Sequence, residues 1–162
     1  MATGLEAWRS GGRMRRLWAD DTSLWAGNDE NKWLGWLDIV EKELADIDKF
    51  IAFAKAIKQR GFSDVVLLGM GGSSLGPEVF GETFGPQSGW PRFHMLDSTD
   101  PAQINAIEQA IDLDKTLFIV SSKSGSTREP NLLRDYFLDR VPKARAQENA
   151  GGHFFAGTDP AW

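Results

Sequence analysis

The spacing of apolar residues divides the chain into two parts. Between residues 33 and 57 apolar side chains recur every three or four positions, which predicts one amphipathic helix. Gly61 follows it as a C-terminal helix signal. Residues 1–30 show no sustained period and contain several glycines, which predicts an irregular arm with a short helical turn at 13–18. Residues 1–60 are therefore predicted to form an N-terminal arm whose amphipathic helix packs on the rest of the chain.

After residue 60, short apolar runs alternate with helical stretches. Asp100 before Pro101 predicts a helix start, and Ser126 with Glu129 fits a capping box. Repeated strand–helix–strand units predict right-handed crossovers, and hence an α/β fold with a parallel sheet flanked by helices over residues 61–162, a Rossmann-like three-layer sandwich. The predicted strands are 65–68, 92–96, 116–120 and 153–156, and the predicted helices are 76–84, 101–111 and 127–140.

Two glycine- and serine-rich loops each follow an apolar strand. Residues 69–77 read Gly-Met-Gly-Gly-Ser-Ser-Leu-Gly-Pro, and residues 121–129 read Ser-Ser-Lys-Ser-Gly-Ser-Thr-Arg-Glu. Backbone N–H groups, hydroxyls and a helix N-terminus at such a loop suit a phosphate. A single loop of this kind often forms only a turn and binds nothing, because glycine and serine are common turn residues. Two loops on adjacent strands of a parallel sheet would lie at one edge, where they favour a shared anion.

Nucleotide-binding motifs fit the first loop poorly. A dinucleotide fingerprint that starts at Gly69 has Ser74 where the third glycine belongs, although Asp97 stands where a ribose-binding acid would lie. A P-loop would need lysine after Gly76, and the chain has Pro77. A site for a phosphate monoester, held by hydroxyls and amides, remains favoured.

Composition narrows the classes of function. The chain has 162 residues, 41% of them hydrophobic and 25% charged, which is typical of one globular domain. A net charge of -5 argues against nucleic-acid or membrane-surface partners. With no cysteine, no secretory signal and no apolar run long enough for a bilayer, the expected location is the cytoplasm. His94 and His153 are distant and are expected to be structural, so no metal site is predicted.

The two loops together resemble the glucose-6-phosphate isomerase family, and specifically the first of its sugar isomerase (SIS) subdomains. The likeness runs from about Leu17 to the C-terminus, and residues 33–37 (Trp-Leu-Gly-Trp-Leu) are similar to the isomerase half of bifunctional transaldolase/glucose-6-phosphate isomerase proteins. The first loop is specific to the family. The second is a hybrid, since Lys123 is isomerase-like whereas residues 124–127 are closer to SIS proteins in general.

The resemblance implies isomerisation of glucose 6-phosphate and fructose 6-phosphate through an enediol, with no metal and no cofactor. By resemblance Glu129 is a supporting catalytic carboxylate, which pairs with the histidine that helps open the sugar ring. The residues implied to hold the substrate phosphate are Gly72, Ser73, Ser122, Lys123, Ser124 and Thr127.

The family's catalytic base, ring-opening histidine, substrate arginine and C-terminal lysine all come later than these motifs. The chain is therefore expected to be the phosphate-binding part of such an isomerase, inactive alone, with the remainder of a longer polypeptide or a second copy as its partner. One alternative is a non-catalytic SIS module that senses sugar phosphates. Another is an interaction role for the arm, which holds five of the seven tryptophans within residues 1–36.

Overall fold

The structure, a computed structural model, describes residues 2–141 and 150–158. The chain divides into two compact units, Met1–Ala54 and Lys55–Trp162. Each unit is described separately below.

The first unit contains short helices. The prediction of one continuous helix over 33–57 is wrong, because residues 33–38 are not α-helical and the helix is interrupted at Asp46. The Asp46 carboxylate binds Lys49 Nζ at 2.6 Å, and aspartate disfavours a helix interior because its short polar side chain competes for local hydrogen bonds. The α-helices described in this unit are α1 (Ala2–Ser10), α2 (Arg13–Leu17), α3 (Ile39–Ala45) and α4 (Ile47–Gln59), the last of which continues into the second unit.

The irregular arm predicted over residues 1–30 is only partly correct. The helical turn expected at 13–18 is present as α2, but α1 was not predicted. In α1 the large apolar residues are Leu5 and Trp8, and a single pair three residues apart is too short to establish a period. Trp18, Trp33 and Trp36 each keep more than half of their surface exposed.

The second unit is built on a four-stranded parallel sheet. Its strand order is β2-β1-β3-β4, so the predicted α/β fold with a parallel sheet is confirmed. The strands match the predicted positions closely, except that His153 lies in a 3₁₀ turn just before the last strand. The strands are β1 (Asp64–Gly69), β2 (Arg92–Leu96), β3 (Thr116–Ser121) and β4 (Phe154–Gly157).

Three helices follow the first three strands: α5 (Gly72–Phe84), α6 (Pro101–Ala110) and α7 (Arg128–Arg140). The N-cap predicted at Asp100 is confirmed, because its carboxylate accepts a hydrogen bond from Ala102 N at 2.8 Å. The capping box predicted at Ser126 is wrong. Thr127 is the N-cap residue of α7, and the Ser126 N–H and hydroxyl both contact the Ser124 hydroxyl within the loop.

Apolar side chains cover both faces of the sheet. On one face Phe118 packs with Leu133, Phe137 and Leu96, and residues of α6 lie against this cluster. On the other face a smaller cluster contains Ile57, Phe62 and Leu117, and α5 contacts β1 and β2. The sheet is thus the middle layer of the predicted three-layer arrangement.

The amino ends of the strands carry polar contacts. Asp64, at the start of β1, is fully buried and accepts hydrogen bonds from the Ser63 hydroxyl at 2.7 Å and from His94 Nε2 at 2.8 Å. His153 Nδ1 lies 2.8 Å from the Thr116 carbonyl oxygen. Both histidines therefore join neighbouring elements at the sheet edge opposite to the glycine- and serine-rich loops, as the structural roles predicted for them require.

Candidate phosphate-binding site

The two glycine- and serine-rich loops leave the same edge of the sheet side by side. β1 and β3 are hydrogen-bonded parallel neighbours, and Gly69 at the end of β1 is paired with Ser121 at the end of β3. Neighbouring strands lie about 4.8 Å apart. The expectation that the loops follow adjacent strands is therefore confirmed, and the topology can present both loops to one small anion.

Glycine shapes the first loop at two positions. Gly71 has φ 55° and ψ -126°, a conformation that a side chain would strain. A Cβ at Gly69 would lie 2.9 Å from the Ser73 carbonyl oxygen, so the strand end and the first turn of α5 approach closely. Helix α5 begins four residues earlier than predicted, directly at the loop. Its N-terminus is therefore part of the candidate site.

The serines of the first loop have different surroundings. Ser74 is 1% exposed and its hydroxyl donates to the Gly71 carbonyl at 3.0 Å, which closes the loop on itself. Ser73 is only partly buried, and Gly72 has open space where a Cβ would be. Gly72 and Ser73 thus lie in the first turn of α5, where N–H groups have no partner within the helix. The Ser73 N–H donates instead to the Met70 carbonyl oxygen of the loop at 3.2 Å.

Hydroxyl groups bond to one another within the second loop. The buried Ser122 donates from Oγ to Thr127 Oγ1 at 3.0 Å, and the Ser124 and Ser126 hydroxyls lie 2.8 Å apart. The Lys123 side chain is exposed, while its carbonyl oxygen accepts a hydrogen bond from Thr158 Oγ1 at 3.2 Å. The loop therefore places Lys123 and the hydroxyls of Ser122, Ser124, Ser126 and Thr127 beside the N-terminus of α7.

The structure brings the predicted phosphate-binding residues to one edge. Gly72 and Ser73 open α5, and the other four lie in the second loop or cap α7. Glu129 is in the first turn of α7 and partly buried, and its side chain makes no hydrogen bond or ion pair within the described residues. Its predicted role as a supporting carboxylate stays a prediction, as do the six phosphate contacts.

One residue of this region was missed by sequence reasoning. The side-chain amide of Asn131 donates to the Gly125 carbonyl at 3.0 Å and to the Thr127 carbonyl at 2.9 Å. The usable signal is an asparagine four residues after Thr127, the spacing that places its side chain over the preceding helical turn.

In residues 2–141 and 150–158, no group of three or more acidic or histidine side chains could hold a metal ion. No helix in the same ranges combines the length and the apolar character needed to cross a bilayer.

A parallel α/β sheet with two hydroxyl-rich loops at one edge, each opening into a helix N-terminus, defines a class of domains suited to small phosphorylated ligands. Comparison with known proteins gives the particular family. The phosphoglucose isomerase family model matches residues 40–158, and the chain belongs to this family.

The relatives found are longer proteins. The glucose-6-phosphate isomerase of Trichormus variabilis is 34% identical over 145 residues, which cover 76% of this chain and 27% of the relative. That of Thermus thermophilus is 36% identical over 129 residues, which cover 78% and 29% respectively. The chain thus spans a little over a quarter of these relatives.

Solved structures agree on the fold. A crystal structure of a hypothetical protein from Thermus thermophilus superposes with a TM-score of 0.69 at 33% identity, covering 96% of this chain and 36% of that one. A glucose-6-phosphate isomerase from Chlamydia trachomatis superposes with a TM-score of 0.55 at 29% identity, covering 68% of this chain and 22% of that one.

Proposed function

We propose that this chain is the phosphate-binding part of a glucose-6-phosphate isomerase. The observation that carries the proposal is the pairing of Gly69 with Ser121, which sets the two loops side by side at the carboxyl edge of the sheet. The matched relatives named above are glucose-6-phosphate isomerases, which makes a sugar 6-phosphate the proposed ligand. A soluble, cytoplasmic role in carbohydrate metabolism follows as part of the same proposal.

In the proposed complex the phosphate lies between the N-termini of α5 and α7. Gly72 and Ser73 contribute from the first loop, and Ser122, Ser124 and Thr127 contribute hydroxyls from the second. Lys123 supplies a positive charge, which strengthens hydrogen bonds to a dianion. Binding energy on a group that does not react can be used to position the reacting carbons. Isomerisation itself is proposed to need groups outside these 162 residues, with Glu129 in support.

Thermal unfolding with ligands tests the proposal. Glucose 6-phosphate, fructose 6-phosphate and inorganic phosphate should each raise Tm, because a ligand at 100 times its Kd stabilises the folded chain by about 2.7 kcal/mol. Glucose without phosphate should leave Tm unchanged. A coupled assay should show no turnover of fructose 6-phosphate. A shift with glucose alone, or no shift with any phosphate, would contradict phosphate binding, and sustained turnover would contradict the proposed inactivity of the chain.

Substitution of Lys123 separates a specific site from general charge effects. Lys123→Gln should weaken binding of inorganic phosphate about tenfold, since a hydrogen bond to a charged group contributes about 1.5 kcal/mol. Lys115→Gln is the matched control, because Lys115 is an exposed lysine just before the opposite end of β3. Isothermal titration calorimetry measures both. Equal losses in the two variants would assign the effect to net charge instead of the site.

A further inference from the structure

The Asn131 side chain connects the second loop to helix α7. Its Nδ2 group donates to the carbonyl oxygens of Gly125 and Thr127, which can only accept. Its Oδ1 atom accepts a hydrogen bond from Arg134 Nη1 at 3.1 Å. All three contacts agree with one orientation of the amide, so donor and acceptor ends are unambiguous. The amide therefore bridges two peptide groups of the loop from a position on the helix.

These contacts decide which way a loop peptide faces. In a trans peptide the carbonyl oxygen and the next N–H point in opposite directions. Because the Gly125 carbonyl points to Asn131, the N–H of Ser126 points away from that amide, and it contacts the Ser124 hydroxyl at 3.3 Å. Gly125 itself has φ 65°, a left-handed conformation that glycine adopts at little cost. Gly125 makes this orientation accessible, and the Asn131 bond selects it.

The orientation matters for an anion. The Ser126 N–H donates to the Ser124 hydroxyl oxygen, and the Ser124 and Ser126 hydroxyls share one hydrogen bond, so one of the two hydroxyls keeps its hydrogen for a phosphate oxygen. A loop that must be ordered at the moment of binding loses affinity to the ordering cost, whereas a loop already held in place does not. Holding the loop in place therefore increases ligand affinity, although Asn131 itself does not contact the ligand.

We propose that Asn131 is a positioning residue, which fixes the second loop in its phosphate-binding shape before the ligand arrives. This inference rests on the proposed phosphate site. Arg134 assists by holding Oδ1, and its guanidinium is in turn anchored on Asp135 Oδ1 at 2.7 Å. The Asn131 amide holds the carbonyl groups of Gly125 and Thr127 in place. It thereby also fixes the positions of the Ser126 N–H and of the Ser124 and Ser126 hydroxyls.

The test compares three variants of the 162-residue chain. Asn131→Ala should raise the Kd for inorganic phosphate about tenfold, the equivalent of one or two hydrogen bonds. Leu132→Ala is the matched control, an adjacent helical residue that is exposed, and should change Kd less than about twofold. Arg134→Met removes only the support and should raise Kd about threefold. Calorimetry with inorganic phosphate gives the three values.

A second readout separates positioning from simple loss of stability. In the ligand-free chain, the backbone amide resonances of Gly125 and Ser126 should move and exchange faster in Asn131→Ala, while those of Gly71 and Gly72 stay in place. Unchanged Kd and unchanged loop resonances would overturn the inference. If Asn131→Ala does not fold, Arg134→Met decides on the same two criteria. If the unmodified chain binds no phosphate, the proposed function fails, and the resonances still show whether Asn131 shapes the loop.

Discussion

Replacing Phe118 with alanine should lower the free energy of unfolding by about 3–5 kcal/mol, the range for deletion of a buried aromatic side chain. Phe118 lies in the central strand β3 and has no exposed surface. Its ring stacks on Phe137 of α7 with centroids 4.6 Å apart, and on Phe154 of β4 at 5.1 Å. The Phe118 side chain thus connects β3, α7 and β4, and the second loop joins the first two of these elements.

Urea unfolding followed by tryptophan fluorescence and circular dichroism measures the effect. Phe84→Ala is the control, because Phe84 is 68% exposed on α5 and should cost less than about 1 kcal/mol. Since single domains are stable by about 5–15 kcal/mol, the Phe118 variant should be close to unfolding at 37 °C. A loss no larger than that of the Phe84 variant would show that the packing around β3 is not the main core of the second unit.

Asp64→Asn should cost about 3 kcal/mol, because it places an amide donor against groups that also donate. The carboxylate receives the Ser63 hydroxyl, His94 Nε2 and Arg92 Nη2, the last at 2.9 Å. Arg92 is largely exposed and contributes less than a buried partner would. The carboxylate bonds β1 to β2 at the register pair Asp64 with Arg92, so its loss should loosen the edge strand.

The same substitution should change how stability depends on pH. Burial alone would raise the pKa of Asp64, but the hydrogen bonds from Ser63, His94 and Arg92 outweigh burial and hold the pKa below its usual value. A lowered pKa in the folded chain gives stability that is complete above the unfolded value of about 3.9 and is lost as pH falls through the folded value.

The contribution of Asp64 can be measured as the change in the free energy of unfolding between about pH 6 and pH 2, since that range brackets the carboxyl pKa of the unfolded chain. Asp64→Asn should flatten the decline below about pH 4, because the variant lacks the carboxyl whose pKa is lowered in the folded chain. Identical slopes in the Asp64 variant and the unmodified chain would show that the carboxylate does not gain its stability from these three partners.

The alternation of short apolar runs with helical stretches was sufficient to predict the parallel α/β sheet of the second unit. A buried strand such as Val65 to Leu68 is apolar at every position because both faces of the sheet are covered, and the helices between strands begin at recognisable caps such as Asp100. The first unit was harder. The apolar stripe continues past Asp46, yet the helix breaks there. Aspartate disfavours a helix interior because its side chain competes for local hydrogen bonds, and a hydrophobic period does not record that preference.

The site was predicted only in outline. Motif and topology together place Gly72 and Lys123 at one edge, but no pattern reveals that Ser74 closes its own loop or that Asn131 reaches back to Gly125. Such contacts depend on the backbone conformations of Gly71 and Gly125, both of which have a positive φ. The sequence does not predict these conformations, because glycine can adopt many.

The most direct test of phosphate binding at the two loops is a residue-resolved NMR titration of the ¹⁵N-labelled chain with glucose 6-phosphate. The amides of 71–74 and 122–128 should shift together with one Kd, and those at the opposite sheet edge, such as Asp64 and Thr116, should stay in place. Shifts confined to one loop, or largest outside both loops at saturation, would contradict a shared phosphate site.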